Sequence, residues 1–297
     1  MTSSSQGRSP GAVRPARGSG FLFFLGTGAC IAGLVATFIF FVRTTTGQFI
    51  DESALSEAVG IHGPAGKVST QFLDMLPTIS LVMAAVVVLA LSIIKHRWRA
   101  AAIVVAACIG ANLATQVLKE FLPARPDVGV VTIALNSLPS GHTTLAASAA
   151  AAVFLMVSPR WRPLVGFIGG TYAIITGAST VLNQWHRPAD VVAAFLMVGI
   201  FMIPAGWLVF RTGPAWNIRQ PGSKHFGSAA LWTLLPTALG ILAALAAAYA
   251  LATVGNDATT DGSTNYFWAG TALIVIAGYL STVTMTALFG YAARPRR

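Results

Sequence analysis

Charged residues are scarce in this sequence. They fill 9% of its 297 positions, against about 25% in a soluble globular domain. So few charges cannot cover a solvated surface of this size, and the mean hydropathy of +0.71 points to a bilayer as the solvent. Cysteine is nearly absent: Cys30 and Cys108 both lie inside apolar runs, which argues against a disulfide framework and leaves them as small buried hydrophobes. Acidic residues number nine against nineteen Lys and Arg, a net charge of +10. In a soluble chain that excess would suggest nucleic acid. Here the cations stand in short clusters between long apolar runs, with no basic face of interleaved aromatics, so no nucleic-acid partner is expected.

What is abundant is apolar sequence. A membrane-crossing helix needs about 20 mostly apolar residues, and eight runs qualify: 20–42, 75–94, 100–118, 142–158, 163–182, 189–210, 229–253 and 266–291. The fourth is short enough to begin inside a re-entrant loop. The runs are continuous rather than alternating, which disfavours a barrel, so the expected fold class is all-α, a polytopic membrane helical bundle. With residue 1 placed inside and the spans alternating, fourteen of the nineteen basic residues fall on inner segments, and all nine acidic residues fall outside. Only the basic residues count strictly for topology. They favour a multi-pass cell-membrane protein with both termini cytoplasmic. Residues 1–19, rich in Ser, Gly, Pro and Arg, read as a disordered basic tail able to touch anionic lipid at the cytoplasmic face. The run after it lacks a small-residue cleavage site and reads as a retained anchor. In the longest outer segment, 43–74, the stretch from Phe49 to Ile61 suits a short amphipathic surface helix. Gly166 and Gly170, four apart, permit close helix packing.

Three outer positions hold residues that membrane proteins seldom place near a span, where a buried charge costs roughly 2.5–3.5 kcal/mol on insertion scales. Lys119 and Arg125-Pro126 follow the third run; two fixed cations suit a phosphate, and interface snorkelling is the alternative. Pro139-Ser140-Gly141-His142 opens the fourth run. The first-turn N–H groups of a helix bind anions, Gly141 lets the backbone approach, Ser140 adds a hydroxyl, and His142 stands ready to give a proton. An ordinary capped helix would look the same. His186-Arg187-Pro188-Ala189-Asp190 opens the sixth run, with Pro188 suited to the first turn. His186 and Asp190, four apart, share a helix face. The Asp can fix one ring nitrogen and free the other for attack, or the pair can simply cap the helix. Topology puts all three positions on one side. His and Asp also bind metals, but the cations and the anion-binding turn would repel one, so neither a metal nor another cofactor is expected.

At these residues the chain resembles the type 2 phosphatidic acid phosphatases, or lipid phosphate phosphatases. That family carries Lys, six residues, Arg-Pro; then Pro-Ser-Gly-His; then Ser-Arg, five residues, His, three residues, Asp. Pro139-Ser140-Gly141-His142 matches the second signature, and Ser179, His186 and Asp190 match the third in spacing. Lys119 and Arg125-Pro126 match the first with five intervening residues instead of six. The resemblance implies a six-span phosphatase core at 20–210, a cytoplasmic linker at 211–228, and two added spans with a basic tail at 229–297. It also implies roles. His186 attacks phosphorus, Asp190 orients it, and His142 protonates the leaving oxygen. Lys119, Arg125, Ser140 and Gly141 hold the phosphate. The expected activity is metal-independent hydrolysis of a membrane lipid phosphate or pyrophosphate, such as phosphatidic acid or a polyprenyl pyrophosphate, at the extracytoplasmic face. The chain departs where the family's Arg follows Ser179: Thr180 stands there, with Arg187 as a nearby auxiliary cation. A phosphotransferase using the same site, or a non-catalytic lipid-binding or transport member, are the alternatives.

Overall fold

The computed structural model describes residues 18–131, 136–218, 225–254 and 264–294, the side chains of residues 62, 64, 65, 214 and 215 excepted. Among the described residues all regular structure is helical. The helices are α1 (Ser19–Arg43), α2 (Thr45–Lys95), α3 (Trp98–Phe121), α4 (Gly141–Met156), α5 (Arg162–Leu182), α6 (Pro188–Thr212), α7 (Pro214–Asn217), α8 (Leu231–Val254) and α9 (Asn265–Ala292). The chain is a polytopic helical bundle, as its continuous apolar runs predict. Local chemistry sets the breaks. The Thr44 hydroxyl caps α2 by accepting the Gly47 N–H at 3.1 Å. His96, in the left-handed region at φ 51°, ends the same helix. Proline occupies the first turn of α5 and of α6.

Two features differ from the sequence-based reading. Seven described helices, not eight, are long and apolar enough to cross a membrane, the second being the Gly66–Lys95 part of α2. The fourth run yields only the 16 residues of α4, about 24 Å at 1.5 Å per residue, which is short of a hydrocarbon core of about 30 Å. A short helix is tolerable because protein covers both its ends. The Ser140 N–H at its start donates to the Asp190 carbonyl at 2.9 Å. At its finish, Arg97 donates to the Met156 carbonyl and Arg162 to the Leu155 carbonyl, satisfying groups that would otherwise face hydrocarbon. The second difference concerns α2. The stretch from Phe49 to Ile61 is helical, but it joins the following span through a kink at Gly63. Its Asp51, Ala54 and Ala58 are buried against the bundle. The basic tail predicted for residues 1–19 lies almost wholly outside the described residues, as do residues 219–224 of the 211–228 linker.

Contacts alternate between two ends of the bundle. At one end the finish of α1, the start of α2, the finish of α3, the starts of α4 and α6 and the finish of α5 share hydrogen bonds. The start of α9 joins them, because Glu57 of α2 accepts the Phe267 N–H at 2.8 Å. At the other end Phe23, Phe210 and Phe289, from α1, α6 and α9, meet in an aromatic cluster. Buried Arg162 lies over the Phe210 and Phe289 rings, at 5.2 and 5.4 Å from their centroids.

Small residues let the helices approach. Gly166 and Gly170 of α5 lie against Thr286 and Thr282 of α9, the close packing expected of that pair. Gly206 of α6 faces the ring of Phe289, which is 1% exposed. A Cβ there would overlap the ring, and overpacking of a filled core costs about 1–3 kcal/mol. Gly206→Ala is therefore expected to lower the melting temperature of the detergent-purified protein by several degrees. An unchanged melting curve would show that the α6–α9 contact yields without cost.

Candidate active site

The site is built where α5 turns into α6. The Trp185 and His186 N–H groups both donate to the Thr180 carbonyl, at 2.9 and 3.3 Å, folding the chain back over the last turn of α5. Gln184 takes a positive φ of 59° in that turn. Pro188 then starts α6, which leaves Asp190 in the first turn. Its Oδ2 accepts three contacts: the Ser137 hydroxyl at 2.6 Å, the Arg187 N–H at 3.0 Å, and Nδ1 of His186 at 3.2 Å. Asp190 is fully buried and His186 is 9% exposed. The pairing consumes Nδ1 and leaves Nε2 as the nitrogen with chemistry to spare.

The first turn of α4 lies beside it. Ser140 is the N-cap: its Oγ accepts from the Thr143 N–H at 3.4 Å and the Thr143 hydroxyl at 3.0 Å, and neither contact uses its own proton. A Cβ on Gly141 would sit 3.5 Å from Gln116 Nε2 and 3.8 Å from Lys119 Nζ. The missing side chain thus leaves a small polar space between the helix start and the α3 cation. The His142 ring rests on Trp185 with centroids 5.3 Å apart, and it lies within electrostatic reach of His186 and Lys119. Lys119, Ser140, Gly141, His142, His186 and Asp190 are thereby brought together from three helices.

The two arginines are present but engaged. Arg125 is 5% exposed and pairs with Asp51, Nη2 to Oδ2, at 3.2 Å. Arg187 donates from Nε to Glu52 at 2.7 Å and from Nη1 to Ser137 at 3.2 Å. Thr180 is buried with its hydroxyl turned back on the Gly177 carbonyl at 2.7 Å, so that donor is spent inside α5. Sequence reading missed Asp51, Glu52 and Ser137. Asp51 lies 74 residues from Arg125 and 138 from the Ala189 N–H it accepts. The one signal was that both acids open the segment predicted as an amphipathic helix.

This gathering is of a recognisable kind. Residues 100–215 match the family model of the PAP2 superfamily. The comparisons with curated proteins and with solved structures gave no match. The match agrees with the resemblance to type 2 phosphatidic acid phosphatases and supports phosphatase activity on phosphate esters. It spans every predicted site residue, from Lys119 to Asp190, whereas Asp51, Glu52, α8 and α9 lie outside it.

Asp51 also carries a proton-linked consequence. Burial, and next the nearby Asp190 carboxylate, push its carboxyl up from 3.8 to about 7, against the pull of Arg125 and the Ala189 N–H. The folded chain then holds this proton more tightly than the unfolded chain. The stabilisation is complete below the unfolded value and is lost as pH rises through about 7. The melting-temperature advantage of wild type over Asp51→Asn should therefore shrink between about pH 4 and pH 7.5. A pH-independent difference would show that Asp51 does not take up the proton.

Proposed function

We propose that this PAP2-superfamily chain is a metal-independent phosphatase of membrane lipid phosphates or pyrophosphates, acting through a phosphohistidine on His186. The observation that carries this reading is the His186–Asp190 pair, which holds Nδ1 and not Nε2, in a site that also gathers the start of α4, His142 and Lys119. In the first step the Nε2 lone pair forms the N–P bond while the P–O bond to the leaving group breaks. His142 gives the leaving oxygen its proton. Lys119, Arg125, the Ser140 hydroxyl and the Gly141 N–H hold the phosphoryl oxygens, so fixed donors stabilise the developing charge without a metal. Water then attacks the phosphohistidine, returning its proton to His142 and freeing phosphate and His186.

A site at the ends of apolar helices suits a substrate whose phosphate reaches the interface while its tails stay in lipid. Phosphatidic acid, polyprenyl pyrophosphates, phosphatidylglycerophosphate and phosphorylated isoprenoid sugars share that form. The distribution of basic residues supports an extracytoplasmic site in the cell membrane, with cytoplasmic termini and anionic lipid at the cytoplasmic face. Thr180, standing where the family has Arg, favours the alternatives of a phosphotransferase or a non-catalytic lipid-binding member. We assign the missing cation's role to Arg187.

Purified full-length protein in detergent, given a panel of lipid phosphates and pyrophosphates with chelator present, is expected to release phosphate, and His186→Ala is expected to abolish the release. Release lost to chelator, or equal in the variant, overturns the histidine mechanism. A product carrying the phosphoryl group on an acceptor other than water identifies the transferase. Arg187→Ala should lower kcat/KM about 100-fold, the cost of a lost charge-assisted contact of roughly 3 kcal/mol. Near-normal turnover would return that role to no residue and leave Thr180 an unreplaced loss.

A further inference from the structure

The α1–α2 corner reaches into the site from outside the matched segment. Asp51 is completely buried and uses both carboxylate oxygens. Oδ2 accepts from Arg125 at 3.2 Å, and Oδ1 accepts the Ala189 N–H at 2.9 Å. Arg125 comes from the loop after α3, and Ala189 is the residue before Asp190 in the first turn of α6. The same corner holds that loop twice more. Arg125 Nη1 donates to the Phe41 carbonyl at 3.4 Å, and buried Gln48 donates to the Val42 and Pro126 carbonyls at 2.8 and 3.0 Å. The Nε of Arg125 is buried with no hydrogen-bond partner among the described residues, an unspent donor on a guanidinium that is otherwise tied down.

We infer that Asp51 is a positioning residue: it ties the guanidinium of Arg125 to the turn that carries His186 and Asp190, fixing the phosphate-holding cation relative to the nucleophile. This rests on the proposed function for the identity of the anion. The physical reason is geometric. Arg125 sits on an irregular loop, and a long side chain there holds an oxygen well only if its other face is pinned. A carboxylate that pins it and also accepts from the α6 backbone transmits the position of the nucleophile's own turn to the cation. A salt bridge serving only to neutralise a buried charge would not need the second oxygen on Ala189.

Asp51→Asn isolates the link, because the amide oxygen still accepts from Ala189 while the negative charge that pairs with Arg125 is lost. The test is a double-mutant cycle of Asp51→Asn and Arg125→Gln in full-length detergent-purified protein at about pH 8, where Asp51 is ionised. Inorganic phosphate is titrated calorimetrically, and kcat/KM is measured on a hydrolysed lipid phosphate. Each single variant is expected to weaken both about tenfold, and the double variant should be no worse than Arg125→Gln alone. Asp51→Asn behaving as wild type, or losses that multiply in the double variant, overturn the assignment, as does a wild type that binds no phosphate. If Asp51→Asn fails to fold around an unpaired arginine, the comparison of Arg125→Gln with the double variant remains, and any further loss there overturns the assignment. Coupled phosphate binding without hydrolysis of any lipid phosphate would sink the phosphatase reading and leave Asp51 in place. Hydrolysis without coupling would do the reverse.

Discussion

The site end of the bundle depends on one residue, Asp190. Its Oδ2 gathers Ser137, the Arg187 N–H and His186, and its main-chain carbonyl takes the Ser140 N–H. Side chain and backbone of one position therefore join the start of α4 to the start of α6 and hold the 137 segment between them. A buried carboxylate is costly unless several donors meet it, and the sequence supplies them from two loops and a helix start. The arrangement also sets a direction for the chemistry, because a histidine pinned through Nδ1 presents only Nε2.

The second dependence is on α4. A 16-residue helix is shorter than the hydrocarbon core of a bilayer, and its first turn sits among other helix ends. The residues around that turn, Ser140, Thr143 and Thr144, are buried, and a fixed helix dipole acts more strongly where water is excluded. The opposite end is secured by Arg97 and Arg162, which would be expensive in hydrocarbon and are spent on the α4 carbonyls and the aromatic cluster.

The fold was legible because bilayer-spanning helices announce themselves by length and apolarity. Seven of the eight runs became long helices with ends within a few residues of the expected ones, apart from the second span, which began earlier within α2. The fourth run, 142–158, became the short helix α4, which ends where the backbone turns extended at Val157, ahead of Ser158-Pro159. The site was legible wherever chemistry is local. The His186–Asp190 spacing and the Ser140 cap follow from helix geometry, and both contacts are present. What could not be read was pairing across distance. Nothing in the spacing of Arg125 and Arg187 shows that Asp51 and Glu52, adjacent on α2, neutralise one each. Two cations read from sequence as open phosphate ligands are half of two ion pairs.

That balance changes how an anion would be met. A site of unpaired cations would hold any anion, and would be hard to keep folded in a low dielectric without one. Here Arg125 and Arg187 are compensated by acids on a helix arm that also binds the start of α9, through Glu57 on the Phe267 N–H and Ala54 beside Gly270. Gly270 in turn lies against Pro188, the first residue of α6. The arm is thus clamped between α6 and a span outside the family segment. The accessory span α9 is not attached to the periphery of a finished core. It buttresses the residue that begins α6, and through the α2 arm it reaches the same acids that hold the site's arginines. Loss of α9 would accordingly be felt at the start of α6, two residues after His186.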